Sequence, residues 1–270
     1  MKCVLPVAGF GTRFLPFTKV IPKELIPIGA KPLIQFAVQE SFDSGINNFV
    51  IILNKEKLSI KQFFKRNSNI ENLISETNKN HLLDSLNSLI DKSNFKYVYQ
   101  EQMHGLGHAI LQAKDEVNNS SFAVILPDDL CFNNDDPVLS QLVRVQKDYP
   151  DCCVVALEEV SDSAISNYGV PSIENIEGHD NERLFRVLDL IEKPKIEDAP
   201  SKYAVIGRYI LTQEIFNFIE EASPGLNNEI QLTDALSELA KKGKVIGYIF
   251  EGKRYDCGQP KGWKEAIIDL

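Results

Sequence analysis

Val4-Leu5-Pro6-Val7-Ala8-Gly9-Phe10-Gly11-Thr12-Arg13 decides the fold, because an apolar run of strand length breaks here directly into a glycine turn. A helical spacing of apolar residues follows at Leu33-Ile34-Gln35-Phe36-Ala37-Val38, and a second strand-length run at Asn48-Phe49-Val50-Ile51-Ile52-Leu53. Strand, glycine turn, helix, strand is the opening of a βαβ unit, and such units build a largely parallel sheet. Similar runs predict strands over 96–99, 122–126, 153–158, 184–192, 203–209 and 245–250. Helical spacings fall between many of them, at 107–116, 138–147, 213–221 and 232–241.

The 270 residues carry 29 Lys+Arg against 38 Asp+Glu, a formal charge of −9, with 43% hydrophobic and 25% charged residues. That length allows one large α/β domain or two lobes sharing a cleft, and a sizeable core in either case. The acidic balance excludes a broad nucleic-acid surface, which relies on a surplus of Lys and Arg over one face. It does not exclude a small anion, since charges are screened beyond about 8 Å and a few basic side chains decide what a pocket binds. No apolar stretch approaches the roughly 20 residues of a membrane span, and Pro6 ends the first run short of a signal-peptide core. Cys3, Cys131, Cys152, Cys153 and Cys257 form no CxxC pair and no zinc spacing. A soluble, cytoplasmic protein with reduced thiols and no membrane partner is expected.

Residues 55–93 are rich in Asn, Ser and Lys, with Ile60, Phe63, Phe64, Leu82, Leu83, Leu86, Leu89 and Ile90 at helical intervals. This reads as a helical excursion that either covers a sheet edge or makes a subunit contact. The expected organisation is a single domain over 1–270, with one lobe over 1–133, a second over 134–257 and a C-terminal helix over 258–270.

The chemistry starts in the first loop. Gly9-Phe10-Gly11-Thr12-Arg13-Phe14 lacks the third glycine of a dinucleotide fingerprint, and no Lys-Ser/Thr pair follows to make a Walker A loop. The turn does offer backbone N–H groups, those of Gly11 and Thr12 among them, together with Arg13 and Lys23 in a loop stiffened by Pro16 and Pro22. That is an anion site with its own cations. Pro127-Asp128-Asp129 puts carboxylates at the carboxyl end of a buried strand, where open α/β sheets bind ligands. Asp128 and Asp256, the latter just past the last strand, suit Mg2+, which needs only one or two carboxylates plus substrate phosphates. Asp129 reads as a turn residue. Gln100, at another strand end, offers the donor and acceptor that a pyrimidine edge requires. His104 and His108 read as structural, because Gly105 and Gly107 spoil a helical zinc face. Gly247–Arg254 nearly spells a P-loop by coincidence, and Trp263 belongs to a final amphipathic helix.

The pattern G-x-G-T-R-x-x-P-x-T-K-x-x-P-K-E over residues 9–24 resembles the signature of bacterial sugar-1-phosphate nucleotidyltransferases, and the whole chain is similar to their UTP–glucose-1-phosphate uridylyltransferase branch. Supporting segments follow in order: Lys31-Pro32-Leu33-Ile34-Gln35, Gly105-Leu106-Gly107-His108-Ala109, Ile125-Leu126-Pro127-Asp128-Asp129, Glu192-Lys193-Pro194, Ile206-Gly207-Arg208-Tyr209, Asn228-Glu229-Ile230-Gln231-Leu232-Thr233-Asp234 and Tyr255-Asp256-Cys257-Gly258. The resemblance implies an α/β fold that is Rossmann-like, a three-layer α/β/α arrangement around a mostly parallel mixed sheet, of the nucleotide-diphospho-sugar transferase type. It implies a nucleotide-binding first lobe and a sugar-phosphate-binding second lobe. It places Ala8, Gly9, Gly11, Thr12, Gln100 and Gly105 at the nucleotide, and Gly169, Glu192 and Lys193 at the sugar phosphate. Arg13, Lys23 and Lys193 then serve catalysis, and Asp128 and Asp256 hold Mg2+. The implied partners are UTP and glucose 1-phosphate, in a homo-oligomer. Ala30 and Pro171 depart from the pattern, at positions that carry no chemistry. Two alternatives stay open here: a pyrimidine nucleotidyltransferase using dTTP or CTP, and a non-catalytic sugar-nucleotide-binding regulatory subunit.

Overall fold

The structure is a computed structural model, and it describes residues 1–118, 120–133, 135–176, 182–225 and 228–270. The first half contains β1 (Cys3–Pro6), β2 (Pro27–Ile28), β3 (Lys31–Pro32), α1 (Leu33–Asp43), β4 (Asn48–Leu53), α2 (Leu58–Phe63), α3 (Ser68–Glu76), α4 (Asp84–Asp91), β5 (Asn94–Tyr99), α5 (Gly105–Leu111), β6 (Phe122–Ile125) and β7 (Asp129–Phe132). The second half contains α6 (Val138–Asp148), β8 (Cys153–Glu159), α7 (Asp162–Ile165), β9 (Gly169–Asn175), β10 (Leu184–Glu192), β11 (Tyr203–Leu211), α8 (Ile215–Glu221), α9 (Leu232–Lys241), β12 (Val245–Ile249), β13 (Lys253–Asp256) and α10 (Pro260–Asp269).

One nine-stranded sheet runs in the order β5-β4-β1-β6-β11-β8-β12-β10-β9. β5, β4, β1 and β6 are mutually parallel, as are β8 and β12, whereas β11 and β10 run against their neighbours. The sheet is therefore mixed, and strands from before residue 133 fill one side of it while later strands fill the other. The lobe boundary drawn after residue 133 falls on residue 134, which lies outside the described residues.

Alternation along each strand sends side chains to two cores. From β1, Cys3 and Leu5 join Ile34 and Val38 of α1 and Leu142 of α6, while Val4 joins Ile110 of α5, Phe216 of α8 and Leu236 of α9. Helices thus cover both faces. α1 buries Leu33, Ile34, Ala37, Val38 and Ser41, the three-and-four spacing that turns one stripe inward.

The 55–93 segment is the crossover between the parallel strands β4 and β5. Ile60, Phe64 and Leu89 enter the core, and Phe64 stacks on Phe95 of the edge strand at 4.7 Å, so the segment covers the sheet edge. α3 buries none of its residues. The helix expected over 107–116 begins at Gly105 instead and stops at Leu111, with a separate 3-10 turn at Lys114–Glu116. β7, β9 and β13 carry too little apolar alternation to be read as strands. As the outermost strand, β9 tolerates Pro171.

Candidate active site

The loop after β1 is tied down at both ends. Gly11 has φ 68°, and a Cβ there would stand 3.1 Å from Lys23 Cβ and 3.2 Å from Thr18 Cγ2, so only glycine fits without displacement. Thr18 donates its hydroxyl to Gly11 O at 2.8 Å. Further along, Phe14 meets Trp263 of α10 edge-to-face at 6.3 Å, and Trp263 Nε1 donates to Pro27 O at 3.1 Å. The final helix thereby braces the first loop. Glu24 is buried and accepts two bonds from Lys57, at 2.7 and 3.0 Å, which fastens the loop to the start of the crossover segment.

Lys23 reaches Asp128 at the end of β6, with Nζ 2.5 Å from Oδ2. Burial alone would raise the Asp128 carboxyl, but Lys23 outweighs it and holds the carboxyl below the ordinary value. The lysine is correspondingly raised: burial pulls it down, and Asp128 and Glu24 more than restore it.

Asp256 arrives from the other half of the chain. The ribbon of β7 and β13 pairs Asp129 with Asp256 in antiparallel register. Gly258 then completes a cradle, since a Cβ on it would lie 2.8 Å from Asp128 Oδ2 and 3.1 Å from Asp256 Oδ1. Two carboxylates from distant segments face one small space. Among the described residues no group of three or more His, Cys, Asp or Glu side chains converges as a metal site. Two carboxylates with room for phosphate oxygens and water suit a hard octahedral divalent cation such as Mg2+.

Asp256 is held by neighbours that the sequence did not single out. Tyr168 donates its hydroxyl to Asp256 Oδ2 at 2.9 Å, and Gln259 Nε2 donates to the same oxygen at 2.9 Å. The Arg254 guanidinium lies over the Tyr168 ring at 4.9 Å and bonds Asp129 Oδ1 at 2.8 Å and Glu158 Oε2 at 2.9 Å. The near-P-loop around Arg254 is indeed coincidental, yet the arginine lines the cleft. Its position two residues before Asp256 on a strand, hence on the same face, was the available signal. Asp129 is more than a turn residue, because Oδ2 accepts from Gly207 N at 2.7 Å and the side chain locks β7 to β11.

On the far side, Glu192 ends β10. Thr233 Oγ1 donates to its Oε2 at 2.6 Å, and Lys193 Nζ lies 3.1 Å from its Oε1. Lys193 has φ 47° and donates its backbone N–H to Tyr168 O at 2.9 Å, a strained position held by tertiary contacts. A Cβ on Gly169 would meet Thr233 Oγ1 at 3.1 Å and Glu192 Oε2 at 3.4 Å.

Arg13, Asp128, Gly169, Glu192, Lys193 and Asp256 line a single cleft, and Lys23 joins it through Asp128. Ala8, Gly9, Gly11, Thr12, Gln100 and Gly105 do not line that cleft. Several of them sit at the adjoining ends of β1, β4 and β5, where Ala8 O accepts from Asn54 Nδ2 at 2.6 Å and Gln100 N donates to Leu53 O at 2.8 Å. Gly105 has φ 89°, and a Cβ there would press on Glu229 Cβ and Ile230 O at 2.9 Å. His108 Nδ1 lies 2.8 Å from Gln100 Nε2, and His104 Nε2 lies 2.9 Å from Gln102 Oε1.

Cations and paired carboxylates gathered at strand ends of a mixed α/β sheet suit phosphate-bearing substrates and a hard divalent cation. Residues 2–270 match the Nucleotidyl transferase family, and the chain belongs to it. Among its relatives, a UTP–glucose-1-phosphate uridylyltransferase of Pseudomonas aeruginosa is 46% identical over 98% of this chain and 94% of its own length. One from Staphylococcus epidermidis is 40% identical over 99% and 91%. A solved UDP-glucose pyrophosphorylase complexed with UDP-glucose superposes with a TM-score of 0.90 at 47% identity, covering 99% of this chain and 97% of that one. A UTP-bound enzyme from Acinetobacter baumannii gives 0.88 at 32% identity, covering 99% and 92%.

Proposed function

We propose that this chain is a UTP–glucose-1-phosphate uridylyltransferase. A phosphate oxygen of glucose 1-phosphate attacks the α-phosphorus of UTP in line; a P–O bond to UDP-glucose forms as the bond to pyrophosphate breaks. The observation that carries the reading is the convergence of Asp128 and Asp256 on the space beside Gly258, with Arg13 and Lys193 on the same cleft.

No protein nucleophile is required, since an ionised phosphate is already one. The work of this chain is positioning and charge neutralisation. Arg13 draws charge off the departing pyrophosphate. Lys23 and Lys193 hold the two phosphates together against their repulsion. Glu192, fixed by Thr233, accepts from sugar hydroxyls, and the backbone at Gly169 lets the hexose approach. Ala8, Gly9, Gly11 and Thr12 hold the nucleotide in the first loop, and Gln100 and Gly105 hold the base. Asp128 and Asp256 would hold Mg2+, which supplies positive charge to the phosphate oxygens.

The reading includes a three-layer Rossmann-like α/β/α arrangement, supported by helices on both faces of the sheet, with the nucleotide on the first lobe and the sugar phosphate on the second. A cytoplasmic location fits the five free thiols, and among the described residues no helix is long and apolar enough to cross a membrane. A homo-oligomer fits the exposed Ile70, Leu73 and Leu82 of the crossover segment. The test is pyrophosphate release from UTP and glucose 1-phosphate with Mg2+ titrated from zero, run beside dTTP, CTP and galactose 1-phosphate. Release that needs UTP, glucose 1-phosphate and metal supports the reading; none in any combination overturns it.

A further inference from the structure

Gln100 is 3% exposed, and a primary amide has two ends of similar shape and opposite chemistry: Oε1 accepts and Nε2 donates. Which end faces outward determines what the residue recognises. Nε2 is turned inward, 2.8 Å from His108 Nδ1 and 3.4 Å from Gly105 O.

An amide nitrogen only donates, so Nδ1 of His108 accepts and the imidazole proton sits on Nε2. Gln112 Nε2 makes a longer approach to His108 Nε2, 3.3 Å, and has His108 O as its acceptor at 3.2 Å. Gly105 O can only accept, which assigns the inward end of the Gln100 amide as its nitrogen, and the shorter contact to Nδ1 then assigns the tautomer. Burial, with His104 beside it at a ring distance of 5.4 Å, lowers the pKa of His108, so the accepting neutral ring is the form present at neutral pH. The amide of Gln100 therefore offers Oε1 to whatever enters.

Uracil presents an N3–H donor where cytosine presents an N3 lone pair. A fixed Oε1 attracts the first and repels the second. Resting on the assignment of a uridine nucleotide as substrate, we propose that His108 is a positioning residue that locks the Gln100 amide and so selects uracil over cytosine. Thymine carries the same N3–H, so this device leaves thymine unselected.

The experiment is calorimetric binding of UDP and CDP to the full chain and to His108→Leu and His108→Asn. Asparagine can keep an acceptor near the place of Nδ1; leucine cannot. Wild type is expected to prefer UDP, His108→Leu to narrow the preference by about tenfold, the worth of one neutral hydrogen bond, and His108→Asn to retain most of it. In a Gln100→Ala background the leucine substitution should add nothing to the ratio. Should His108→Leu fail to fold, His108→Phe keeps a ring without nitrogen and gives the same readout. An unchanged ratio in the folded variant, equal weakening toward both nucleotides, or no preference in wild type would overturn the proposal. Absence of turnover in wild type would instead remove the reaction assigned above and leave the base preference readable in binding.

Discussion

Lys23 and Asp128 neutralise one another across the cleft floor, with Nζ 2.5 Å from Oδ2 and both side chains 22% exposed. The lysine thus competes for Asp128 with any cation this carboxylate would hold. Replacing it with Met should weaken the metal-free protein by about 1–3 kcal/mol, because Asp128 is left as an unpaired, half-buried charge. The same change should tighten divalent-cation binding, since its competitor is gone, while turnover falls by about 10²–10³. Mn2+ binding followed by spin resonance, chemical denaturation and steady-state rates read the three effects separately. A loss of turnover accompanied by weaker metal binding would contradict the competition.

The pair also defines a pH window. Asp128 is depressed below its ordinary 3.8, so its contribution is present above that value and lost as pH falls through the lower one. Lys23 is raised above 10.5, so its contribution is present below that value and lost as pH rises through the higher one. The difference in melting temperature between wild type and Lys23→Met should therefore stay flat from about pH 7 to 9 and narrow toward acid, where the Asp128 carboxyl that the substitution leaves unpaired, raised by burial, takes up a proton. Scanning calorimetry across that range checks it.

Gly258→Ala tests the carboxylate cradle. The added methyl would stand 2.8 Å from Asp128 Oδ2 and 3.1 Å from Asp256 Oδ1, so both carboxylates must move. Turnover should fall by about 10², as misplacement of about an ångström does elsewhere, with the fold retained. Rates measured over a Mg2+ titration, beside a circular dichroism spectrum, decide it.

Tyr168→Phe removes the hydroxyl that bonds Asp256 at 2.9 Å and keeps the ring under Arg254. The metal concentration at half-maximal rate should rise about tenfold, the usual effect of losing a group that orients a ligand. Stability should change by no more than about 1 kcal/mol. A metal midpoint identical to wild type would show that Gln259 and the Gly258 N–H suffice to fix Asp256.

Glu40 of α1 and Arg208 of β11 form a buried ion pair, with Nη2–Oε2 at 2.7 Å and side chains 9% and 1% exposed. Glu40→Ala strands a buried guanidinium and should cost about 3–5 kcal/mol. The paired replacement Glu40→Leu with Arg208→Met should recover most of that. Urea unfolding midpoints at constant slope provide the comparison.

The chain's order of residues was enough to define the βαβ opening, because 2.0 and 3.6 periodicities and glycine turns are local properties. It was enough also for Arg13, Lys23, Asp128, Glu192 and Lys193 as candidates, since each sits at a strand end or in a glycine turn whose chemistry is visible without neighbours. The sequence could not show that Lys23 faces Asp128, 105 residues away, or that Gly258 lets Asp128 and Asp256 share one space. Nor could it separate Arg254, a cleft residue bonded to Asp129 and Glu158, from the false P-loop around it. The antiparallel courses of β10 and β11 escaped it as well, because strand direction depends on which edges meet. Distances between segments far apart in the chain are set by how the two cores close on the sheet, and that closure is a property of the assembled molecule alone.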